Sequence, residues 1–449
     1  MNPELRRTLW LEVSLQRLWL IPAALLGTAL LLHISNAAEL VMSTLALAAF
    51  AAITVFWGAR QAASSIVQEA RDRTWEIQRM SALSPWTMTW GKLLGATAMP
   101  WYAGVICLSL YGNYYEPERA SDGVAWILMA ILTAITLHAF ALLAALVSIH
   151  LDRRLRRRLN ILVVLFLLTL LLPELADLAI PGMGSFNQIG GSVTWYGRYF
   201  DGMAFNVVLL ATFAAWAGIG AYRMMCLELE VRTNPWVWFL FICFLAAVDS
   251  GFDVANAPER VGRWLSTAAV YACGLSYLAG FAFARDPVQY RRVVQACRER
   301  RYRRAIEESP LWISSAVFTL LLALAATLAG SDPTVSNERI DNLGATALAL
   351  ALMMIRDLSL LTYLSFRRVD GRAEVTTLIY IAMLNRLLPA LFSLSGIGLF
   401  ATLCKPAMFE QVPVAVGIAA LHAALALVLL YLAYQKAMYG TNPSDARKS

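Results

Sequence analysis

Long apolar runs, separated by short polar stretches, dominate this chain from end to end. A helix needs about 20 predominantly apolar residues to cross the hydrocarbon core of a bilayer. Runs of that kind lie near 18–34, 40–57, 93–111, 124–149, 160–180, 203–221, 236–250, 264–284, 311–330, 343–365, 374–402 and 412–434. The pattern predicts an all-α, polytopic membrane protein of about twelve transmembrane helices; 40–57 and 236–250 are the weakest of the runs. Ahead of the first, residues 2–17 read as an amphipathic helix on the inner surface. Asn2 can cap it, Pro3 suits its first position and Glu4 faces its positive end. Leu5, Leu9 and Val13 share one face with Trp10 on its edge, a pattern that settles at headgroup level. The segment 181–203 is rich in Gly and aromatics and follows a run broken by Pro173, so a half-inserted hairpin and an ordinary loop both fit.

Charge tests the count of spans, because Lys and Arg accumulate on the cytoplasmic side of short loops. With both termini cytoplasmic, the outer segments hold Arg119, Arg198, Arg260, Arg263, Arg339 and Lys405. Almost all the other basic residues fall inside. One inner loop has Arg153, Arg154, Arg156, Arg157 and Arg158; another, at 285–310, has Arg285, Arg291, Arg292, Arg298, Arg300, Arg301, Arg303 and Arg304. Omitting one early span would put both loops on the wrong side.

Composition agrees. Of 449 residues, 59% are hydrophobic and 15% charged, too little polar surface for a soluble protein of this length. The formal charge of +7 is spread as short loop signals rather than gathered in one patch, so no nucleic-acid partner is expected. Cys107, Cys226, Cys243, Cys273, Cys297 and Cys404 show no metal or redox spacing, and His33, His138, His150 and His422 are scattered, so neither a disulfide framework nor a metal site is expected. No small-residue cleavage site follows the first run, which reads as a retained anchor.

The most informative stretch is the inner loop 58–95, GARQAASSIVQEARDRTWEIQRMSALSPWTMTWGKLLG. Residues 61–82 read as one helix with charges and apolar residues interleaved. Ser84-Pro85 reads as a helix start, and Gly91-Lys92 falls where the third span begins. The order Glu69, Thr74, Glu76, Ser84-Pro85, Gly91-Lys92 resembles the type-2 export permeases of the ATP-binding-cassette transporters, over roughly the first six spans. Arg73 departs from that pattern, which usually has Gly there. The resemblance implies a permease half over 1–232 whose cytoplasmic segment 58–92 rests on a separate ATPase subunit, expected as a dimer. ATP and Mg would be held by that partner, with no cofactor in this chain and with further membrane subunits compatible. Glu69, Arg71, Arg73, Thr74, Glu76 and Arg79 are then the candidates for the contact, in the plasma (inner) membrane of a prokaryote. Without the resemblance, the same residues read as a solvated charged face.

The remainder, 233–449, repeats parts of this loop. Ala59-Arg60, IVQEARDRTW (Ile66 to Trp75) and Ser84-Pro85-Trp86 find counterparts in Ala284-Arg285, VVQACRERRY (Val293 to Tyr302) and Ser309-Pro310-Leu311-Trp312. Tandem halves of six spans each are one reading; chance similarity between basic loops is the other. Arg298, Glu299, Arg300 and Tyr302 are the coupling candidates of the second half.

No enzyme chemistry is expected from this chain. Gly91-Lys92 is followed by Leu93 and lacks the upstream Gly of a phosphate-binding loop, LSGIG at 394–398 lies in an apolar run, and no serine–histidine–carboxylate or His-Glu-x-x-His arrangement occurs. Charges inside spans need a reason. Arg356 and Asp357 lie in the tenth run and Arg386 in the eleventh. Adjacent helical positions do not face each other, so Asp357 is expected to pair with Arg386. That pair suits either an interhelix tie or, in a secondary transporter of a small solute, a substrate or proton site. A lipid-using transferase would need acids or histidines clustered at one membrane face, and none are seen.

Overall fold

The computed structural model describes residues 2–36, 38–81, 83–115, 120–150, 192–231, 233, 235–252, 257–282, 287–329, 343–367, 373–395 and 412–439. The run at 160–180, the arginines at 153–158, Arg285, most of LSGIG and the C-terminal residues 440–449 lie outside them. Among the described residues, eight helices are long and apolar enough to cross a membrane, and a bent pair makes a ninth. The described residues are all-α apart from one β-hairpin. Packing divides it into two units, one formed by residues 1–150, 186–193 and 199–233, the other by 151–185, 194–198 and 234–449.

The first unit opens with α1 (Pro3–Glu12), α2 (Leu15–Ile34) and α3 (Glu39–Arg71). Asn2 Oδ1 accepts from the amides of Glu4 and Leu5 at 2.9 and 3.2 Å, the expected cap. Helix α3 runs through the second apolar run into the inner loop without a break, its residues Ala51–Trp57 being π-helical. His138, from α7 (Ala120–His150), places Nε2 2.7 Å from the Thr54 carbonyl within that π segment. Gly58 is obligatory beside it, because a Cβ there would overlap the imidazole.

The helix expected over 61–82 is not continuous. It stops at Arg71, Arg73 adopts φ 59°, and a separate short helix α4 (Thr74–Arg79) follows. Arg73 thus occupies the left-handed conformation that glycine takes freely, at a cost of about 1–2 kcal/mol for an L side chain. Ser84 then caps α5 (Pro85–Ala96), accepting from the Thr87 amide at 3.2 Å. Helix α6 (Ala98–Tyr114) leaves α5 at 52°. Pro100 explains the bend: it has no amide to bond the Ala96 carbonyl and its ring crowds that group. The unit closes with α7 packed on α8 (Gly202–Glu228).

In the second unit, α9 (Trp236–Gly251) has only 16 residues. Helix α10 (Ala257–Ala282) is longer but starts with charged positions. Two loop helices follow, α11 (Pro287–Arg298) and α12 (Tyr302–Glu308). Helices α13 (Leu311–Ala329) and α14 (Leu343–Phe366) come next. Helix α15 comprises Ala373–Ala382, a π-helical turn at Met383–Leu387, and Leu388–Leu394. Helix α16 (Val412–Tyr439) ends the described chain. The core of this unit is lined by alanines, among them Ala268, Ala272, Ala323, Ala347 and Ala351. Small residues let helix backbones approach closely where lipid supplies no hydrophobic drive. Gly344 marks a close approach of two backbones: a Cβ there would sit 2.7 Å from the Ala326 carbonyl carbon and oxygen. Gly344→Ala must therefore push α13 and α14 apart. It is expected to destabilise by about 1–3 kcal/mol, read as a lower unfolding midpoint in detergent; an unchanged midpoint would contradict the close contact.

The described part of the 181–203 segment is the β-hairpin, β1 (Ser192–Trp195) and β2 (Arg198–Asp201). Its turn residues Tyr196 and Gly197 have φ 49° and 72°, as tight two-residue hairpins require. Trp195 Nε1 donates to the Val248 carbonyl at 3.2 Å and the Tyr196 hydroxyl to that of Ala247 at 2.9 Å, fixing the turn on the end of α9.

Candidate functional site

The inner segment of the first unit has an exposed part and a locked part. Helix α4 carries the exposed part. Arg71, Arg73, Thr74, Glu76 and Arg79 are all exposed, and so are two large apolar side chains, Ile77 within the helix at 68% and its C-cap Met80 at 81% exposure. Arg79 reaches Glu230 at 3.3 Å, a surface pair worth at most about 1 kcal/mol. Trp75 of this helix turns inward, with 3% exposure, and its ring lies 5.5 Å from Lys92 Nζ.

Beneath it is a buried ion network that the sequence did not disclose. Lys92, fully buried, donates to Glu69 Oε2 at 2.5 Å and lies 3.1 Å from Glu4 Oε1. Arg7 holds Glu4 at 2.9 Å and also pairs with Glu69. Around these charges, α1 is seated on α5. Asn2 Nδ2 donates to the Thr87 carbonyl at 2.8 Å and Thr8 Oγ1 to that of Gly91 at 3.2 Å. A Cβ on Gly91 would lie 2.6 Å from Glu4 Cβ and 2.9 Å from the Leu5 amide. Glu69 is therefore not a free surface charge. It closes a lock between α1, α3 and α5, and Thr74 Oγ1 donates to its carbonyl at 3.3 Å. The helix expected over 2–17 ends at Glu12, and Glu4 and Thr8 form its protein-facing side while Trp10 and Leu11 stand outward. The signal lay in pairing Glu4 and Thr8, one helical turn apart, with Gly91 and Gly95 at the same spacing; Lys92 alone reads as ordinary anchoring.

Burial pushes the Glu4 carboxyl up, but the Arg7 hydrogen bonds and the Lys92 charge outweigh it and hold it below the usual carboxylate range. A carboxylate depressed in the folded state stabilises fully above its unfolded pKa, and that contribution is lost as pH falls through the folded value. Acidification from neutrality to below the ordinary carboxylate range is thus expected to free α1. A spin label at Ser14 should gain mobility over that window, and Glu4→Gln should remove the transition; a label indifferent to pH would contradict the role given to Glu4.

In the second unit, Arg298, Glu299, Arg300 and Tyr302 are all exposed. The neighbouring arginines pair locally: Arg301 with Glu299 at 3.3 Å, Arg303 with Glu307 at 3.1 Å and Arg304 with Glu308 at 2.8 Å. The in-span charges differ from expectation. Arg356 Nε donates to its own neighbour Asp357 at 2.7 Å, and Arg356 Nη2 to Asn385 Oδ1 at 2.8 Å. The Tyr277 hydroxyl donates to the other Asp357 oxygen at 2.8 Å. Arg386 is exposed and takes no part. Two geometric facts decide this. The arginine stem is long enough to fold back on an adjacent residue, and the π-helical turn at Met383–Leu387 turns Asn385 inward instead of Arg386.

Comparison with protein-family models, curated proteins and solved structures finds no match to this chain.

Proposed function

We propose that this chain is the membrane-spanning permease subunit of an ATP-binding-cassette exporter, driven by a separate cytoplasmic ATPase. The observation that carries the reading is α4: a short helix with Ile77 and Met80 bare, ringed by charges and backed by a locked ion network. Two bare apolar side chains side by side on one short helix offer a partner an apolar surface to cover. The lock behind the helix gives that partner something stiff to push. Movement of α4 passes through Glu69 and Lys92 to α5 and α1, and from α5 across its bend into α6. The chain itself supplies no catalysis in this reading; ATP and Mg act on the partner. Both termini are cytoplasmic, in the inner membrane of a prokaryote. Twelve spans result if α9, α10 and the run at 160–180 cross in addition to the nine found by length and composition.

Glu76→Arg tests the dock. Co-expressed with an ATP-binding-cassette ATPase from the same genome, the variant is expected to retain about a tenth of wild-type association in a pull-down, a loss of ~1.4 kcal/mol, with unchanged membrane insertion. Undiminished association would remove α4 from the contact.

A second reading, secondary transport of a small solute, has one observation in its favour. The Arg356–Asp357 pair, with Tyr277 and Asn385, is a buried charged cluster within the apolar spans, and such clusters mark substrate or proton paths. Gradient-driven transport by the purified chain without ATP would support it.

A further inference from the structure

We infer that the Trp75 ring is the pin that carries a displacement of α4 to Lys92. Trp75 is then a positioning residue for the coupling described above, and this rests on that reading. Glu76, Ile77 and Met80 stand on the exposed side of α4. Something must join that side to the buried network behind it. Thr74 Oγ1 reaches the Glu69 carbonyl at 3.3 Å and Arg79 reaches Glu230 at 3.3 Å, both at the surface, where an ion pair holds little. Trp75 is buried.

Hydrogen bonding does not account for its position. Among the described residues, Trp75 Nε1 and, one turn on, Gln78 Oε1 are buried without a hydrogen-bond partner. A buried N–H without an acceptor opposes burial, so the indole is held by its ring. That ring lies 5.5 Å from Lys92 Nζ, close enough for a cation–π contact. Such contacts are strongest where the cation is out of water, and Lys92 is 0% exposed. The ammonium has three N–H donors. Glu69 and Glu4 lie against it at 2.5 and 3.1 Å, and the ring adds a π face to those two carboxylates.

The second unit has the aromatic residue without the cation. The sequence match of IVQEARDRTW with VVQACRERRY places Trp75 on Tyr302. Tyr302 likewise opens a short helix, α12. The apolar helix that follows, α13, contains no lysine, and Tyr302 stands 64% exposed. An aromatic side chain at this place in a basic loop is therefore not turned inward by the loop alone. It turns inward where a buried lysine faces it.

The mechanical consequence follows from what Lys92 holds. It sits on α5 and binds Glu4 of α1 and Glu69 of α3. A shift of the ring acts on the one cation that these three helices share. Without the ring, α4 keeps Glu76, Ile77 and Met80 for a partner but loses its buried hold on the network.

The test uses the full chain in lipid nanodiscs. Trp75→Leu keeps an apolar side chain and removes the π face; Trp75→Phe keeps the π face and removes the N–H. A spin label at Ile77, read before the ATPase is added, reports how firmly α4 is held. A label at Ser14, read with the ATPase bound, before and after Mg-ATP, reports whether movement reaches α1. Trp75→Leu is expected to bind the ATPase as wild type does, to free the label at 77 and to lose the ATP-driven change at Ser14. Trp75→Phe is expected to keep both labels as in wild type. If Trp75→Leu changes neither label, or if Trp75→Phe fails as Trp75→Leu does, the pin is overturned and the proposed function stands. The same holds if Trp75→Leu no longer binds the ATPase, which would put the ring in the contact itself, or if the wild-type label at Ser14 ignores Mg-ATP. If the wild-type chain binds no ATPase, the proposed function fails and the coupling role of Trp75 fails with it.

Discussion

Lys92→Met should destabilise the first unit by about 3–5 kcal/mol, because it leaves two carboxylates in a buried site without their shared cation. Lys92 is 0% exposed and its nitrogen lies within 3.1 Å of both Glu4 and Glu69. Methionine matches the lysine stem in volume, so the loss is electrostatic rather than steric. Arg7 remains as a counter-charge, but it is half-exposed and spends part of its interaction on water. Removing all three charges should cost much less: Glu4→Gln with Glu69→Gln and Lys92→Met leaves hydrogen-bonding groups and no buried ion. Unfolding of the detergent-solubilised variants in denaturant reads both effects. A Lys92→Met variant within about 1 kcal/mol of wild type, the range of an exposed pair, would mean that water reaches the site and that the lock is not a lock.

Asp357→Asn is the second large effect. Asp357 is completely buried and receives hydrogen bonds from Arg356 at 2.7 Å and Tyr277 at 2.8 Å. Asparagine keeps the shape but withdraws the negative charge that balances Arg356, at an expected cost of about 3–5 kcal/mol. The pair variant Arg356→Met with Asp357→Leu, which removes both charges, should recover most of it. Transport assays on the same variants separate the two functional readings. If the cluster only ties α10, α14 and α15 together, the pair variant transports once it folds. If it is a substrate or proton site, the pair variant folds and fails to transport.

Much of the fold was legible in the sequence, for a simple reason. Apolar runs of membrane length have few alternatives, so α2, α7, α8, α13, α14 and α16 fall where hydropathy puts them. What the sequence hid was geometry that depends on two distant segments at once. Glu4 reads as a charge at a helix start until α5 is brought against it. Glu69 reads as one surface charge among several until Lys92 is found beneath it. Arg386 was expected to face Asp357, whereas the π-helical turn at Met383–Leu387 brings its neighbour Asn385 inward instead. The break at Arg73 was partly visible, since glycine was expected at that position. The structure adopts the glycine conformation with an arginine in place.

The lock between α1 and α5 also dictates an order of assembly. Glu4 leaves the ribosome long before Lys92, and two spans, α2 and α3, must be threaded between them. Until then, α1 has no cation to bury its carboxylate and no glycine seat for Thr8, so it waits in water at the membrane surface with Trp10 and Leu11 against the lipid. Helix α1 can therefore fasten only once the residues of α5 have been made and brought against it. The seat that stiffens the mature protein is thus among the last contacts of its first hundred residues to form.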